Sequence, residues 1–248
     1  ELPNVKHSAD AVAIRIPDDD GGDSDSTTTD ITYGKLKELV EATATILSES
    51  AGLGAGGVPG DVVSIVFPNE VSFVLSFLAV PYTRSVSAPL NQNYTREEYK
   101  FYMEDNESKL VLVPEAGGGV PEAEMAAEEL GLPVYAVGWN EKDGVSVKHK
   151  SGPKTIARSS SSESPADEVG GNGDGGQEKK KAKLTFEPRP SDVALFLHTS
   201  GTTAKPKGVP LAHSNLVASM NNISRTYRLT PDDAVLLIMP LFHVHGLM

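Results

Sequence analysis

The segment Thr199-Ser-Gly-Thr-Thr-Ala-Lys-Pro-Lys-Gly208 gathers four hydroxyls, two glycines and two lysines into ten residues. These are the groups that grip a polyphosphate. The hydroxyls of Thr199, Ser200, Thr202 and Thr203 donate to phosphate oxygens, Gly201 and Gly208 let the backbone come close, and Lys205 and Lys207 bring positive charge. The spacing excludes the common nucleotide loop G-x-x-x-x-G-K-[ST]. Six residues separate Gly201 from Gly208, and no Lys-Ser or Lys-Thr pair follows. Pro206 removes one amide donor, so side-chain donors carry more of any grip than helix-end amides do. A run of Ser, Thr and Gly is also the composition of an ordinary solvated loop. The setting favours the grip: the apolar run Val193-Ala-Leu-Phe-Leu197 precedes it and an amphipathic helix follows, a strand-loop-helix arrangement suited to phosphates.

A second group is the pair His243 and His245, whose i, i+2 spacing puts both imidazoles on one face of a strand. A metal suits such a pair, but the sequence offers no third ligand with matching placement. His243 therefore reads as a polar group lining a small-molecule pocket, with a hydrogen-bonded interior histidine as the alternative.

The elements that must position these groups alternate between strand and helix. Residues 11–16 form a short strand, residues 18–30 an acidic, Thr-rich turn, and residues 32–48 a helix with Leu36, Leu39, Val40, Thr43, Ile46 and Leu47 on its buried face. Strands follow at 62–67, 86–90, 109–113 and 133–137, with helices at 70–80, 95–105 and 121–130. Asn69 is the candidate N-cap of the first of these helices, and Thr95 with Glu98 has the capping-box form. This alternation predicts an α/β fold, a parallel sheet flanked by helices, with ligands at the carboxyl ends of its strands. Residues 151–183 are rich in Ser, Gly, Glu and Lys and read as a mobile insertion. The lysines Lys179, Lys180, Lys181 and Lys183 within it read as solvated charge. Beyond it, residues 213–227 predict a helix with Leu216, Met220, Ile223 and Tyr227 as core. Residues 234–239 predict a buried strand.

Over 248 residues, 39% hydrophobic and 23% charged content is globular, and a formal net charge of −12 argues against nucleic-acid and anionic-membrane partners. There is no cysteine, which removes disulfides and thiolate chemistry. The longest apolar stretch, residues 71–80, is too short for a transmembrane segment. The first residue is Glu1 and the last residues lack a terminating cap, so the chain reads as a fragment open at both ends.

Together, Leu197-His-Thr-Ser-Gly-Thr-Thr-Ala-Lys-Pro-Lys-Gly-Val209 and Met239-Pro-Leu-Phe-His-Val-His-Gly-Leu247 resemble two motifs of the adenylate-forming superfamily of acyl-CoA synthetases, luciferases and peptide-synthetase adenylation domains. Ile31-Thr-Tyr-Gly-Lys-Leu36 is similar to that family's early T-Y-x-x-L segment. Ser87-Ala-Pro-Leu-Asn91 with Tyr94-Thr-Arg-Glu-Glu98 is similar to its A-P-L-N segment and following helix. The resemblance implies ATP-dependent activation of a carboxylic acid as an acyl-adenylate, then a thioester with coenzyme A. It implies that Thr199, Ser200, Gly201, Thr202, Thr203, Lys207 and Gly208 hold ATP phosphates, that His243 lines the acid pocket, and that Mg2+ arrives with ATP.

It further implies that residues 1–248 are a partial N-terminal AMP-binding domain. Residues 1–150 would be its first α/β portion, 151–183 the insertion and 184–248 the phosphate-loop and acyl-pocket portion, without the C-terminal lid domain. Such a fragment is expected to be inactive alone. Ala204 stands where the family usually has Gly; if that position needs positive φ, alanine costs about 1 kcal/mol or more. That departure motivates a rival expectation, a non-catalytic nucleotide-binding or interaction protein of the same fold. The motifs look most like the plant and fungal oxalate-CoA ligase branch, with 4-coumarate-type and fatty-acid ligases next. The expected compartment is the cytoplasm, or the peroxisome if a C-terminal signal directs it there. Nothing in the sequence sets the oligomeric state.

Overall fold

Strand and helix alternate along the chain in the computed structural model, which describes residues 8–17, 28–55, 59–116, 119–157, 186–199 and 206–247. The elements are β1 (Val12–Pro17), β2 (Thr28–Thr32), α1 (Tyr33–Ala51), β3 (Val62–Ile65), α2 (Val71–Tyr82), β4 (Val86–Pro89), α3 (Arg96–Asp105) and β5 (Leu110–Pro114). They continue with α4 (Pro121–Glu129), β6 (Val134–Asn140), β7 (Gly144–Ser151), β8 (Val193–His198), β9 (Gly208–Ala212), α5 (His213–Tyr227) and α6 (Val244–Leu247). Seven strands form one sheet in the order β7-β6-β5-β3-β4-β8-β9. The inner five are parallel, and β7 and β9 close the two edges antiparallel to their neighbours.

Both faces of β3, β4, β5 and the start of β6 are covered, which is why they read as continuous apolar runs. Alternate residues of β5 separate to opposite faces. Leu110 and Leu112 pack with Leu47, Phe73 and Val80 from α1 and α2, whereas Val111 and Val113 pack with Tyr99, Met103 and the alanines of α4. From β3 the chain steps to β4 on one side and returns through α3 to β5 on the other. That reversal opens a crevice at the carboxyl ends of β3 and β4, where ligands bind in such sheets. Helix starts follow local chemistry. Thr32 Oγ1 accepts from Lys35 N at 3.2 Å, and Thr95 and Glu98 form the expected capping box. At the other end of the sheet, Arg84 donates to both carboxylate oxygens of Asp192, at 2.8 and 3.1 Å, and ties the turn after α2 to the start of β8.

Several expectations are corrected. Residues 28–30, read as the end of a turn, and Thr32, read as helix, belong instead to β2, which pairs antiparallel with β1 beside the Arg15–Asp30 fork; the β-branched threonines suit an extended backbone. Strand β7 was not anticipated. Ser151 ends it, Ile156 is buried, and the single Tyr135 hydroxyl proton is shared between Ser50 O and Lys154 O, which lie 2.8 and 2.7 Å from Oη. Packed structure thus runs to Ile156, past the start of the polar segment, and residues 158–185, including Lys179 to Lys183, lie outside the described residues.

The expected core face of α5 is open: Met220 and Tyr227 are 61% and 73% exposed, and no α5 residue is buried. Residues 234–239 form no strand, and Leu236 is 85% exposed. Apolar periodicity marks a face that favours burial but does not supply the neighbour, and β9 already occupies the sheet edge beside β8. Among the described residues, no helix is long and apolar enough to cross a membrane.

Candidate functional site

Thr199 leaves the carboxyl end of β8, and Lys207 leads into β9. The Thr199 N–H donates to Lys207 O at 2.9 Å and the Lys207 N–H donates to Thr199 Oγ1 at 3.2 Å, closing the base of the candidate phosphate loop. The strands on either side of it, β8 and β9, pair antiparallel, so the segment is not flanked by a strand and a helix as the sequence suggested. Helix α5 begins only after β9. Pro210 hid that strand from the sequence, since proline within a run argues against a strand; an edge position, opposite Phe196, tolerates it.

Ser200, Gly201, Thr202 and Thr203, with Ala204 and Lys205, lie outside the described residues. Of the others, Lys207 is exposed, and Gly208 pairs with His198 beneath the ring of Phe196. A Cβ on Gly208 would come within 2.7 Å of Phe196 Cε1, so close cross-strand packing is one reason for glycine there.

His198 is nearly enclosed, its side chain 8% exposed. Its Nε2 lies 2.9 Å from Asp105 Oδ2 at the end of α3, and its ring meets those of Tyr102 and Phe196 edge-on at 4.7 and 5.2 Å. This contact locks the loop base to α3. The same helix fixes the carboxyl end of β4. Tyr99 Oη donates to Asn91 O at 2.7 Å, and Tyr94 stacks on Tyr102 at 4.8 Å. Burial pushes the Tyr94 and Tyr99 hydroxyls above the ordinary tyrosine value, so both stay protonated near neutrality.

The histidine motif forms a turn leading into α6, not a strand: His243 lies in the turn and His245 in the first helical positions. The His243 N–H donates to Pro240 O at 3.1 Å and the Gly246 N–H to His243 O at 2.9 Å. Gly246 sits so near Pro240, 2.8 Å from its carbonyl carbon to an ideal Cβ, that a side chain would force the turn apart. The two imidazoles share a side by stacking, with centroids 5.2 Å apart and planes at 9°, rather than by strand alternation. Leu241 anchors the turn in the main core.

Asn69, expected to cap α2, does otherwise: Glu70 is the N-cap residue, without a side-chain bond. The Asn69 amide accepts from Leu241 N–H and donates to Met239 O, both at 2.8 Å.

Three segments distant in sequence thereby meet. Asn91 and Tyr94 after β4, His198 and Thr199 at the end of β8, and Phe242 and His243 in the turn line one cavity of about 180 Å³. Larger clefts of about 480 and 740 Å³ lie beside α5, but neither is lined by Thr199, Lys207, Gly208 or His243. Of these three, the small cavity brings a hydroxyl at the hairpin base and an imidazole to the carboxyl ends of parallel strands. Among the described residues, no group of three or more His, Asp or Glu could hold a metal ion, so none of them is assigned to magnesium.

The sequence concealed Asn69, Tyr102 and Asp105 because their partners lie about a hundred residues or more away. The Asn after a Pro at the end of a central strand was visible, but a helix cap was the nearer explanation for it.

The seven-stranded α/β sheet brings Thr199, Asn91 and His243 to one cavity, and comparison with known proteins gives the family. The AMP-binding enzyme family matches residues 4–248, and the chain belongs to it. A probable CoA ligase of Humulus lupulus, CCL9, is 40% identical over 217 residues, 88% of this chain and 36% of the relative. The oxalate–CoA ligase of Arabidopsis thaliana is 39% identical over 218 residues, 88% of this chain and 37% of its own. The oxalate–CoA ligase of Saccharomyces cerevisiae is 34% identical over 247 residues, 96% of this chain and 42% of its own. The chain thus spans 36 to 42% of the length of these relatives. Among solved structures, apo MatB from Rhodopseudomonas palustris shares the fold, with a TM-score of 0.61 at 24% identity over 88% of this chain and 36% of that one.

Proposed function

We propose that the chain is the N-terminal, phosphate-gripping part of an acid–thiol ligase that activates oxalate or another small carboxylic acid with ATP. The observation that carries this reading is the convergence of the hairpin base at Thr199, the Asn91 corner and the His243 turn on one cavity. A carboxylate oxygen attacks the α-phosphorus of ATP, the bond to the β-phosphate bridge breaks, and pyrophosphate leaves. The thiol of coenzyme A then attacks the acyl carbon, AMP leaves, and the thiol proton passes to solvent.

Charge builds on the departing pyrophosphate, so donors held around it lower the barrier. Thr199, Ser200, Gly201, Thr202, Thr203, Lys207 and Gly208 take that role, and His243 orients the acid. Magnesium, which prefers oxygen ligands, enters on the phosphates. The likeness to two oxalate–CoA ligases supports a small diacid over 4-coumarate or a fatty acid. A compartment supplying ATP and CoA, the cytoplasm or the peroxisome, goes with this reading, as does a partial AMP-binding domain whose segments divide near residues 150 and 183.

The test is CoA-thioester formation by the full-length enzyme from oxalate, 4-coumarate and a medium-chain fatty acid. Oxalyl-CoA as the preferred product supports the proposal, and its absence ends the oxalate assignment. A polypeptide of residues 1–248 alone is expected to release no pyrophosphate above background.

A further inference from the structure

The histidine turn has few holds on the sheet. Residues 228–240 are exposed, and no helix or strand forms among them. What fixes the turn is the burial of Leu241, the packing of Leu247 against the same core, and the side chain of Asn69, 172 residues from Leu241 in sequence.

Asn69 stands just beyond the central strand, whose ladder continues past β3 through Val66 N–H to Leu112 O and Leu90 N–H to Ile65 O, at 3.0 and 2.9 Å. Its amide meets Met239 O and Leu241 N–H on either side of Pro240, as a neighbouring strand would. Pro240 has no N–H to satisfy, and its carbonyl takes the His243 N–H. Of the backbone groups on either side of Pro240, Met239 O and Leu241 N–H bond to Asn69, while Pro240 O takes the His243 N–H. The bonding pattern also fixes the amide orientation, since Leu241 N–H requires the oxygen and Met239 O requires the NH2. Aspartate supplies the first bond but sets a carboxylate against the Met239 carbonyl.

We propose that Asn69 is a positioning residue for His243, holding the imidazole at the cavity shared with Thr199; this role rests on the acid-activation reading above. Small displacements of a positioned group cost catalysis steeply, up to about a hundredfold for 1 Å. Losing the clamp therefore weakens use of the acid more than use of ATP, which is gripped at the hairpin.

The experiment uses full-length enzyme with Asn69→Ala and Asn69→Asp, and reads three quantities: hydrogen exchange at the Leu241 amide, adenylation kinetics with oxalate and with ATP, and the thermal midpoint. For Asn69→Ala, Leu241 exchange rises by about tenfold or more and kcat/KM for the acid falls by about tenfold or more, while KM for ATP stays within about twofold. Asn69→Asp keeps part of the Leu241 protection yet remains impaired with the acid. It also provides a near-isosteric comparison if the alanine variant does not fold.

Unchanged Leu241 exchange in Asn69→Ala overturns the clamp. Faster exchange with unchanged acid kinetics overturns its positioning role. If the wild type forms no acyl-adenylate, the acid-activation reading and the role of His243 in it fall, and the clamp is decided by the Leu241 amide alone.

Discussion

Gly208→Ala tests how the candidate phosphate loop is held. Gly208 lies opposite His198 in the β8–β9 ladder, one step from the Thr199–Lys207 rung that closes the loop. The new methyl would overlap Phe196 Cζ and sit 2.7 Å from Cε1, against an ordinary carbon contact of about 3.5–4.0 Å, so the ring or β9 must retreat by more than about 1 Å. Overpacking of this kind costs about 1–3 kcal/mol. Urea and thermal unfolding of full-length protein measure the cost, and KM for ATP reports the loop base. Because the obstacle is one ring, the same substitution in a Phe196→Ala background should cost under about 0.5 kcal/mol. Equal cost in both backgrounds, or none in either, refutes this account of Gly208.

Asp192 gives a pH prediction. The hydrogen-bonded Arg84 guanidinium holds its carboxyl at about 2, below the ordinary 3.8. A depressed carboxylate contributes stability fully present above its unfolded value and lost as pH falls through its folded value, here between about pH 4 and pH 2. Asp192→Asn should lower the thermal midpoint near neutrality and flatten that acid limb; parallel midpoint-versus-pH curves for the two proteins contradict the role. Lys207→Ala should raise KM for ATP by about one to two orders of magnitude, as expected for a charge-assisted bond worth about 1.5–3 kcal/mol, while KM for the acid stays within about twofold. The reverse pattern in initial-rate measurements removes Lys207 from the phosphate grip.

The inner sheet was legible because strands buried on both faces are unbroken apolar runs, as in residues 110–113, and because caps such as Thr95 with Glu98 are local. Edges were less legible. Thr28–Thr32 is polar, β7 has one half-exposed face, and β9 contains Pro210, so each reads as loop until its partner strand is known.

The residue types of the loop and of His243 were also visible, since they lie in close spacing; the roles given to them are those proposed above. The geometry was not. The stacking of His243 on His245 depends on a turn, and the His198–Asp105 and Asn69–Leu241 contacts join parts of the chain that only the sheet brings together. Apolar patterning misled for α5 and residues 234–239, where the expected face exists and no described element covers it.

The central claim is that a carboxylate is joined to the α-phosphate of ATP at this site. Incubating the full-length enzyme with ATP, CoA and oxalate labelled with 18O in its carboxylates tests it directly. Attack at the α-phosphorus leaves one labelled oxygen bridging acyl carbon and phosphorus, and departure of AMP carries that oxygen away. Mass spectrometry should find one 18O in each AMP formed and none in pyrophosphate. Label in inorganic phosphate with ADP as the nucleotide product, or thioester formed beside unlabelled AMP, contradicts the account.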